Sequence, residues 1–96
     1  MRHPRVEIEY CTQCNWMLRA AWLAQELLST FALEIGEVAL VPGTGGVFIV
    51  RAGDVVVWDR KADGGFPQPK DLKTRVRDVI APEKNLGHNE AKGEQS

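Results

Sequence analysis

The stretch VEIEYCTQCNW, residues 6–16, changes its hydrophobic period at a pair of cysteines. Before the pair, Val6, Ile8 and Tyr10 alternate with glutamates, which predicts a strand with one buried face. After it, apolar residues recur every three or four positions from residue 15 to about residue 31, which predicts an amphipathic helix that begins at the cysteines. The sequence therefore predicts a strand-to-helix junction with two thiols held at it.

The downstream pattern predicts three more strands and a second helix. They are a second strand over residues 33–35 and 38–41 with a bulge at Gly36, a hairpin of residues 47–50 and 55–58 that turns at Gly53-Asp54, and a helix that begins at Pro69 and ends before Pro82. Because a helix connects the first two strands, we expect them to lie parallel through a right-handed crossover. The β-α-β-β-β-α order predicts an α/β fold (an α+β sandwich) with a four-stranded mixed sheet, a thioredoxin-like architecture.

Length and charge limit the classes of function. The 96 residues predict one domain at residues 1–82, and 44% hydrophobic residues suffice for a modest core. Residues 83–96 are polar and without a period, which predicts a disordered tail. The net charge of −1 makes nucleic acid and anionic membrane surfaces unexpected partners. Because the chain shows neither a secretion signal nor an apolar run of roughly 18 residues, we expect a cytoplasmic protein.

The chain's only two cysteines, Cys11 and Cys14, allow three interpretations. A Cys-X-X-Cys pair at a helix start is typical of thiol-disulfide exchange, because free backbone N–H groups there favour the thiolate and the spacing lets the sulfurs bond. Two reduced, buried thiols are the second interpretation. A zinc site is the third, and it would need His3 and His88 to converge on the pair. The redox interpretation is preferred, with neither a metal nor a bound cofactor expected.

Several motifs around the pair resemble one known family. They are Tyr10-Cys11-X-X-Cys14 at the end of a strand, the segment from Gly43-Thr44 to Gly46-Val47-Phe48-Ile49-Val50, and Asp63-Gly64-Gly65. Over residues 5 to 81 the chain resembles the selenoprotein W, T and H family, the thioredoxin-like Rdx group. Animal relatives often carry selenocysteine where this chain has Cys14, so the resemblance implies a cysteine-only, bacterial-type member with a redox role. A disulfide-containing protein or glutathione is the expected partner.

The resemblance and the local pattern disagree about which sulfur attacks first. A thiol that lies nearest the helix start and is most exposed usually attacks, and this argument favours Cys11. The resemblance favours Cys14, because the more reactive atom of the relatives stands at that position. On balance we expect Cys14 to attack.

Six residues are candidate contacts to the substrate or partner. They are Thr12, Gln13, Thr44, Gly45, Gly46 and Trp22. The two glycines either admit a peptide close to the sulfurs or serve a turn that requires positive φ. Trp22 is a large aromatic side chain on the polar face of the helix, which predicts a contact with a partner or within a homo-oligomer. Two alternative functions stay open: a noncatalytic, redox-sensing binding module, and metal binding through the cysteine pair.

Overall fold

Four strands and three helices make up most of residues 1–87, the part of the chain that the computed structural model describes. They are β1 (Arg5–Cys11), α1 (Met17–Thr30), β2 (Glu37–Gly43), β3 (Phe48–Ala52), β4 (Val55–Asp59), α2 (Arg60–Asp63) and α3 (Pro69–Ile80). The predicted element order is confirmed, with α2 as an addition. The pattern did not indicate this short helix, which Asp59 caps by accepting a hydrogen bond from the backbone N–H of Lys61 at 3.0 Å.

The strands form the predicted four-stranded mixed sheet, and their order in it is β2-β1-β3-β4. β1 runs parallel to β2, with Cys11 opposite Gly43, and antiparallel to β3, with Tyr10 opposite Phe48. β3 and β4 form the predicted hairpin, in which Gly53 adopts a φ of 61° that suits a residue without a Cβ. This register places the ends of β1 and β2 and the start of β3 at one edge of the sheet.

The core lies between one face of the sheet and the helices α1 and α3. Its buried side chains are Val6, Ile8, Tyr10, Ala20, Leu23, Ala24, Leu27, Phe31, Ile35, Phe48, Val50, Ala52, Val57, Trp58, Leu72 and Val76. In α1 the buried stripe includes Leu23, whereas Met17 and Leu28, which the period placed in the apolar stripe, are each 44% exposed. The amino-terminal turn of the helix therefore presents apolar side chains to solvent.

Among the described residues, paired charges occupy the other face of the sheet. Arg5 contacts Glu7 and lies 2.7 Å from Glu37, and Arg51 lies 3.0 Å from Glu9 and 3.6 Å from Glu7. Two hydrogen bonds hold the pKa of Glu37 below its usual range. The backbone N–H of residue 2 has the larger effect, and the Arg5 guanidinium has the next largest. The alternation of β1 thus separates an apolar face from a charged one.

Residues 33–35 form a turn, so the strand predicted there was wrong. The backbone N–H groups of residues 34 and 35 both donate to the carbonyl of Phe31, which extends the end of α1, and Leu33 is 96% exposed. Gly36 serves a close approach of two chain segments and not a bulge, because a Cβ at this position would lie 2.7 Å from the carbonyl oxygen of His3. Tertiary contact with the amino-terminal segment therefore sets the start of β2.

Residues 83–87, the described part of the predicted tail, lie against the domain. The Lys84 ammonium is 3.2 Å from the Glu34 carboxylate, and the backbone carbonyl of Lys84 accepts a hydrogen bond from Arg77 at 3.1 Å. Leu86 packs against the core. The rest of the predicted tail lies outside the described residues, so its disorder stays a prediction. Within residues 1–87, no helix is long and apolar enough to cross a membrane.

Candidate redox site

Cys11 and Cys14 form a disulfide at the edge where β1 ends. Their Cα atoms lie 5.4 Å apart, within the usual range for a bonded pair. Cys11 is the last residue of β1, and Cys14 lies in the turn that leads to α1. The spacing argument from the sequence is thus realised in the structure: the chain brings the two sulfurs within bonding distance.

The helix itself begins at Met17, so the prediction that it begins at the cysteines was wrong. Asn15 adopts a φ of 61°, a left-handed conformation that asparagine tolerates and that interrupts a right-handed helix. Trp16 is the N-cap residue and makes no capping hydrogen bond through its side chain. The pair therefore occupies the turn before the helix and not its first turn.

Backbone hydrogen bonds hold this turn in addition to the disulfide. The backbone N–H of Thr12 donates to the carbonyl of Gly43 at 3.0 Å, and its hydroxyl donates to the same oxygen at 3.2 Å. Within the turn, the N–H of Asn15 donates to the carbonyl of Thr12 at 3.1 Å and that of Trp16 to the carbonyl of Cys11 at 3.4 Å. The end of β2 and the turn thus hold each other in place, which prearranges the two sulfurs.

The two cysteines differ sharply in exposure. Cys11 is fully buried, whereas Cys14 is only half-buried and lies nearer to the start of α1 at Met17. The argument that favoured Cys11 as the more exposed thiol was therefore wrong, because the strand carries Cys11 into the interior before the turn begins. Cys14 is therefore the more accessible of the two sulfurs.

A groove of about 270 Å³ lies beside the turn. Its lining residues are Tyr10, Thr12, Asn15, Met17 and Leu18. Thr12, a predicted contact, is among them, and Gln13 is exposed on the same turn. Leu18 is 75% exposed, so the groove opens onto an apolar patch at the start of α1. The space next to the cysteine turn thus combines apolar walls with two polar side chains, as small-molecule and peptide sites usually do.

The glycine loop adjoins the turn through Gly43, which accepts the hydrogen bonds of Thr12. Gly45 and Gly46 adopt φ values of 73° and 76°, so the loop needs residues without a Cβ at these positions. Their surroundings are also open, since a Cβ at either position would meet nothing within 4 Å. Lys61 of α2 donates to the carbonyl of Gly45 at 3.3 Å. Both interpretations of the glycines are therefore compatible with the geometry.

The other predicted contacts lie on exposed surfaces. Thr44 is exposed in the glycine loop, and Trp22 is 48% exposed on α1, where its exposure agrees with the predicted polar face. Trp22 follows Leu18 by four residues, so both side chains lie on one side of the helix. The structure thus places Thr12 at the groove and Trp22 further along the helix that leads away from it.

The sequence analysis missed a cluster of aromatic and arginine side chains beside the turn. Trp16 packs edge-on against Phe66 at 4.8 Å and Phe48 at 6.4 Å between ring centroids. The guanidinium of Arg19 lies 4.0 Å from the Phe66 centroid, and that of Arg60 lies 4.8 Å from the Trp16 centroid. No local signal in the sequence brings residues 16, 19, 60 and 66 together.

The zinc interpretation of the cysteine pair requires further ligands close to it. No group of three or more His, Cys, Asp or Glu side chains among residues 1–87 is placed to hold a metal ion. Of the two histidines that the zinc interpretation required, His3 precedes the start of β1 and His88 lies outside the described residues. Within residues 1–87, the cysteine pair therefore lacks the two further ligands that the zinc interpretation required.

Comparisons with known proteins agree with the resemblance seen in the sequence. The sequence profile of the Rdx family matches residues 5–78. The crystal structure of a selenoprotein W-related protein from Vibrio cholerae is 60% identical with a TM-score of 0.78, and the match covers 79% of this chain and 95% of that one. A protein from Bordetella parapertussis is 64% identical with a TM-score of 0.79, covering 81% of this chain and 100% of that one. Among curated proteins no significant match was found.

Proposed function

We propose, from the premise that this chain belongs to the Rdx family, that it exchanges thiols and disulfides through Cys11 and Cys14. The observation that supports this proposal most directly is the disulfide between the two residues, in a turn that backbone hydrogen bonds also hold. Because these hydrogen bonds join backbone groups and not the sulfurs, we expect the pair to cycle between dithiol and disulfide while the fold persists. The adjoining groove gives a substrate room to reach the turn.

The proposed reaction consumes one substrate disulfide. The Cys14 thiolate attacks one substrate sulfur, forms a mixed disulfide and releases the other half of the substrate as a thiolate. Cys11 then loses its proton and attacks the Cys14 sulfur, which expels the second half. Two electrons pass from the protein dithiol to the substrate, which leaves as two thiols after protonation, and the protein retains the Cys11–Cys14 disulfide. An external thiol reductant returns the protein to its dithiol form.

The burial of Cys11 supports its proposed role as the thiol that resolves the mixed disulfide. A buried resolving thiol is protected from external oxidants and disulfides, yet it lies beside Cys14, where an intramolecular attack is favoured. Thr12 and Gln13 lie between the two cysteines and are the residues nearest to any chain that forms a mixed disulfide at Cys14. The open loop of Thr44, Gly45 and Gly46 provides a second side of the proposed contact. The proposed compartment is the cytoplasm, where thiol reductants regenerate such a pair.

Measurement of repeated substrate turnover tests the proposed disulfide exchange. Reduced protein with a disulfide substrate and a regenerating thiol should show multiple turnovers, and Cys14→Ser should abolish them. Cys11→Ser should retain the first attack and accumulate a mixed disulfide, which mass spectrometry of the intact protein detects. Failure of the wild-type protein to reduce any disulfide beyond one equivalent would contradict the proposed enzymatic role.

The exposed side chains of Leu18 and Trp22 favour a second candidate function. Large apolar groups that share one side of a helix next to the redox pair suit a protein contact. A noncatalytic sensor would then oxidise once and change its affinity for a partner. Stoichiometric oxidation without turnover, combined with a loss of partner capture in Trp22→Gln, would support this candidate over the enzyme; Leu28→Gln, at the other end of α1, is the matched control.

A further inference from the structure

Two arginine side chains beside the cysteine turn lack an acidic partner among residues 1–87. Arg5, Arg51 and Arg75 are each within 3.0 Å of a carboxylate, whereas Arg19 and Arg60 form no ion pair within the described part of the chain. The buried Nε atom of Arg60 also lacks a hydrogen-bond partner. These two guanidinium groups are therefore held in place by something other than charge pairing.

Aromatic rings hold them. The guanidinium of Arg19 is 4.0 Å from the Phe66 centroid, and that of Arg60 is 4.8 Å from the Trp16 centroid and 5.4 Å from that of Phe66. Stacking fixes the plane of a guanidinium through its face and leaves the N–H groups at its edge free to donate. Two positioned cations with free donors and one low-dielectric side form an environment that favours a carboxylate, which binds guanidinium groups through two parallel hydrogen bonds.

The cluster lies next to the reactive sulfur. Trp16 follows Cys14 by two residues, so their Cα atoms are at most about 7 Å apart. Trp16 is also bonded through its backbone N–H to the carbonyl of Cys11. Arg19 belongs to the first turn of α1, three residues after Trp16 and hence on the same side of the chain. The turn that carries Cys14 thus leads within two residues to the Trp16 ring on which Arg60 stacks, so a substrate bonded to Cys14 would approach the cluster from this turn.

We propose that Arg19 and Arg60 form a carboxylate-binding site that selects disulfide substrates carrying a carboxylate a few bonds from the sulfur. The inference rests on the proposed disulfide exchange and assigns the substrate class to it. The carboxylate source is either a small acidic thiol or an acidic residue next to a cysteine in a peptide, and both present the same chemistry. A purely structural role, in which the arginines only cover the aromatic cluster, predicts no preference for charge.

The first test compares three small disulfides that differ in charge: 3,3′-dithiodipropionate, the neutral bis(2-hydroxyethyl) disulfide and the cationic cystamine. Single-turnover rates with the reduced full-length protein should rank them in that order, and added salt should diminish the ranking. Arg19→Gln and Arg60→Gln should each lower the ratio of dicarboxylate to neutral rates about fivefold. Arg2→Gln, which removes the same charge before β1 begins, should leave the ratio unchanged.

The second test needs neither variants nor redox chemistry. Suberate, in which two methylene groups replace the sulfurs of dithiodipropionate, should shift the Nε–H NMR signals of Arg19 and Arg60 in the disulfide form of the protein. A third comparison uses reduction rates and distinguishes the two carboxylate sources. Faster reduction of oxidised glutathione would indicate a small acidic thiol, and faster reduction of a disulfide-linked Glu-Cys peptide would indicate a peptide.

The following results would overturn the inference. A ratio that stays constant in both arginine variants, or suberate that leaves both signals unmoved, would show that the arginines only pack. A wild-type protein that binds suberate but reduces no disulfide would instead contradict the proposed function and the substrate assignment, while leaving a carboxylate site in place. An equal loss of rate for all three disulfides leaves the ratio constant as well, and it would show that the arginines support the structure of the turn without selecting substrates by charge.

Discussion

Reduction of the disulfide between Cys11 and Cys14 should lower the stability of the domain without unfolding it. The bridge closes a loop of four residues, because the two cysteines are three positions apart. In the chain-entropy treatment, closing so short a loop removes about 6 cal/mol/K from the unfolded chain, or about 2 kcal/mol at 25 °C. For a domain of this size, that difference corresponds to a fall in Tm of roughly 10 °C.

Urea unfolding followed by far-ultraviolet circular dichroism measures this difference for the oxidised and reduced protein. The midpoint should fall by about 1 M urea, given a typical slope for a small domain. Below the transition the two spectra should coincide, because the hydrogen bonds of Thr12 to Gly43 hold the turn in both states. Cys14→Ser provides the control: its midpoint should not respond to the reductant.

Two outcomes would refute this reasoning. Loss of the native spectrum on reduction would show that the turn depends on the covalent bond and that the backbone hydrogen bonds do not prearrange it. Equal midpoints for both states would show that the folded protein is strained by the bridge to the same extent that the unfolded chain is restricted.

Three further outcomes are expected. Alkylation of the reduced protein should proceed faster in Cys11→Ser, which leaves the half-buried Cys14, than in Cys14→Ser, and rates measured against pH would contradict the assignment if the order were reversed. Phe48→Ala should cost about 3–5 kcal/mol of unfolding free energy because its ring is 1% exposed, whereas Leu33→Ala, at a side chain 96% exposed, should cost little; denaturant titration compares them, and similar losses would contradict the packing described here. The pKa of Glu37 is lowered in the folded state by hydrogen bonds from the residue 2 backbone and Arg5. The ionised Glu37 therefore stabilises the folded protein above the unfolded pKa of about 4.3, and this contribution is lost as the pH falls through the folded pKa. The difference in Tm between wild type and Glu37→Gln should therefore shrink between about pH 6 and pH 3, and a constant difference would mean that the charge of Glu37 is not involved.

Much of the candidate site was predictable because its chemistry is local. The pairing of Cys11 with Cys14 follows from a spacing that one turn closes, whatever surrounds it. The positions of Thr12 and Gln13 follow from the same turn. The resemblance to the Rdx group added the class of reaction. The sequence could not reveal which thiol is accessible, because the exposure of each thiol depends on where β1 ends and what packs against that end.

Short-range patterns alone determined the alternating strand that ends at Cys11, the hairpin at Gly53 and the helix that begins at Pro69 and ends at Ile80. Each of these depends on residues close together in the chain, whose period or turn chemistry persists in any packing. Only the tertiary structure decided the start of α1 and the turn at residues 33–35, where neighbouring segments override the local pattern.

Tertiary structure alone also assembled the arginine cluster. Arg60 and Phe66 reach Trp16 across more than 40 residues, because the β3–β4 hairpin and α2 return the chain to the edge where β1 ends. Contacts at this separation are set by strand order and register, which hydrophobic period does not specify. The sequence thus determined that two thiols would meet. The fold determined that one would be buried, that the other would lie half-buried in a turn next to a groove, and that two arginines without an acidic partner among residues 1–87 would lie near this turn.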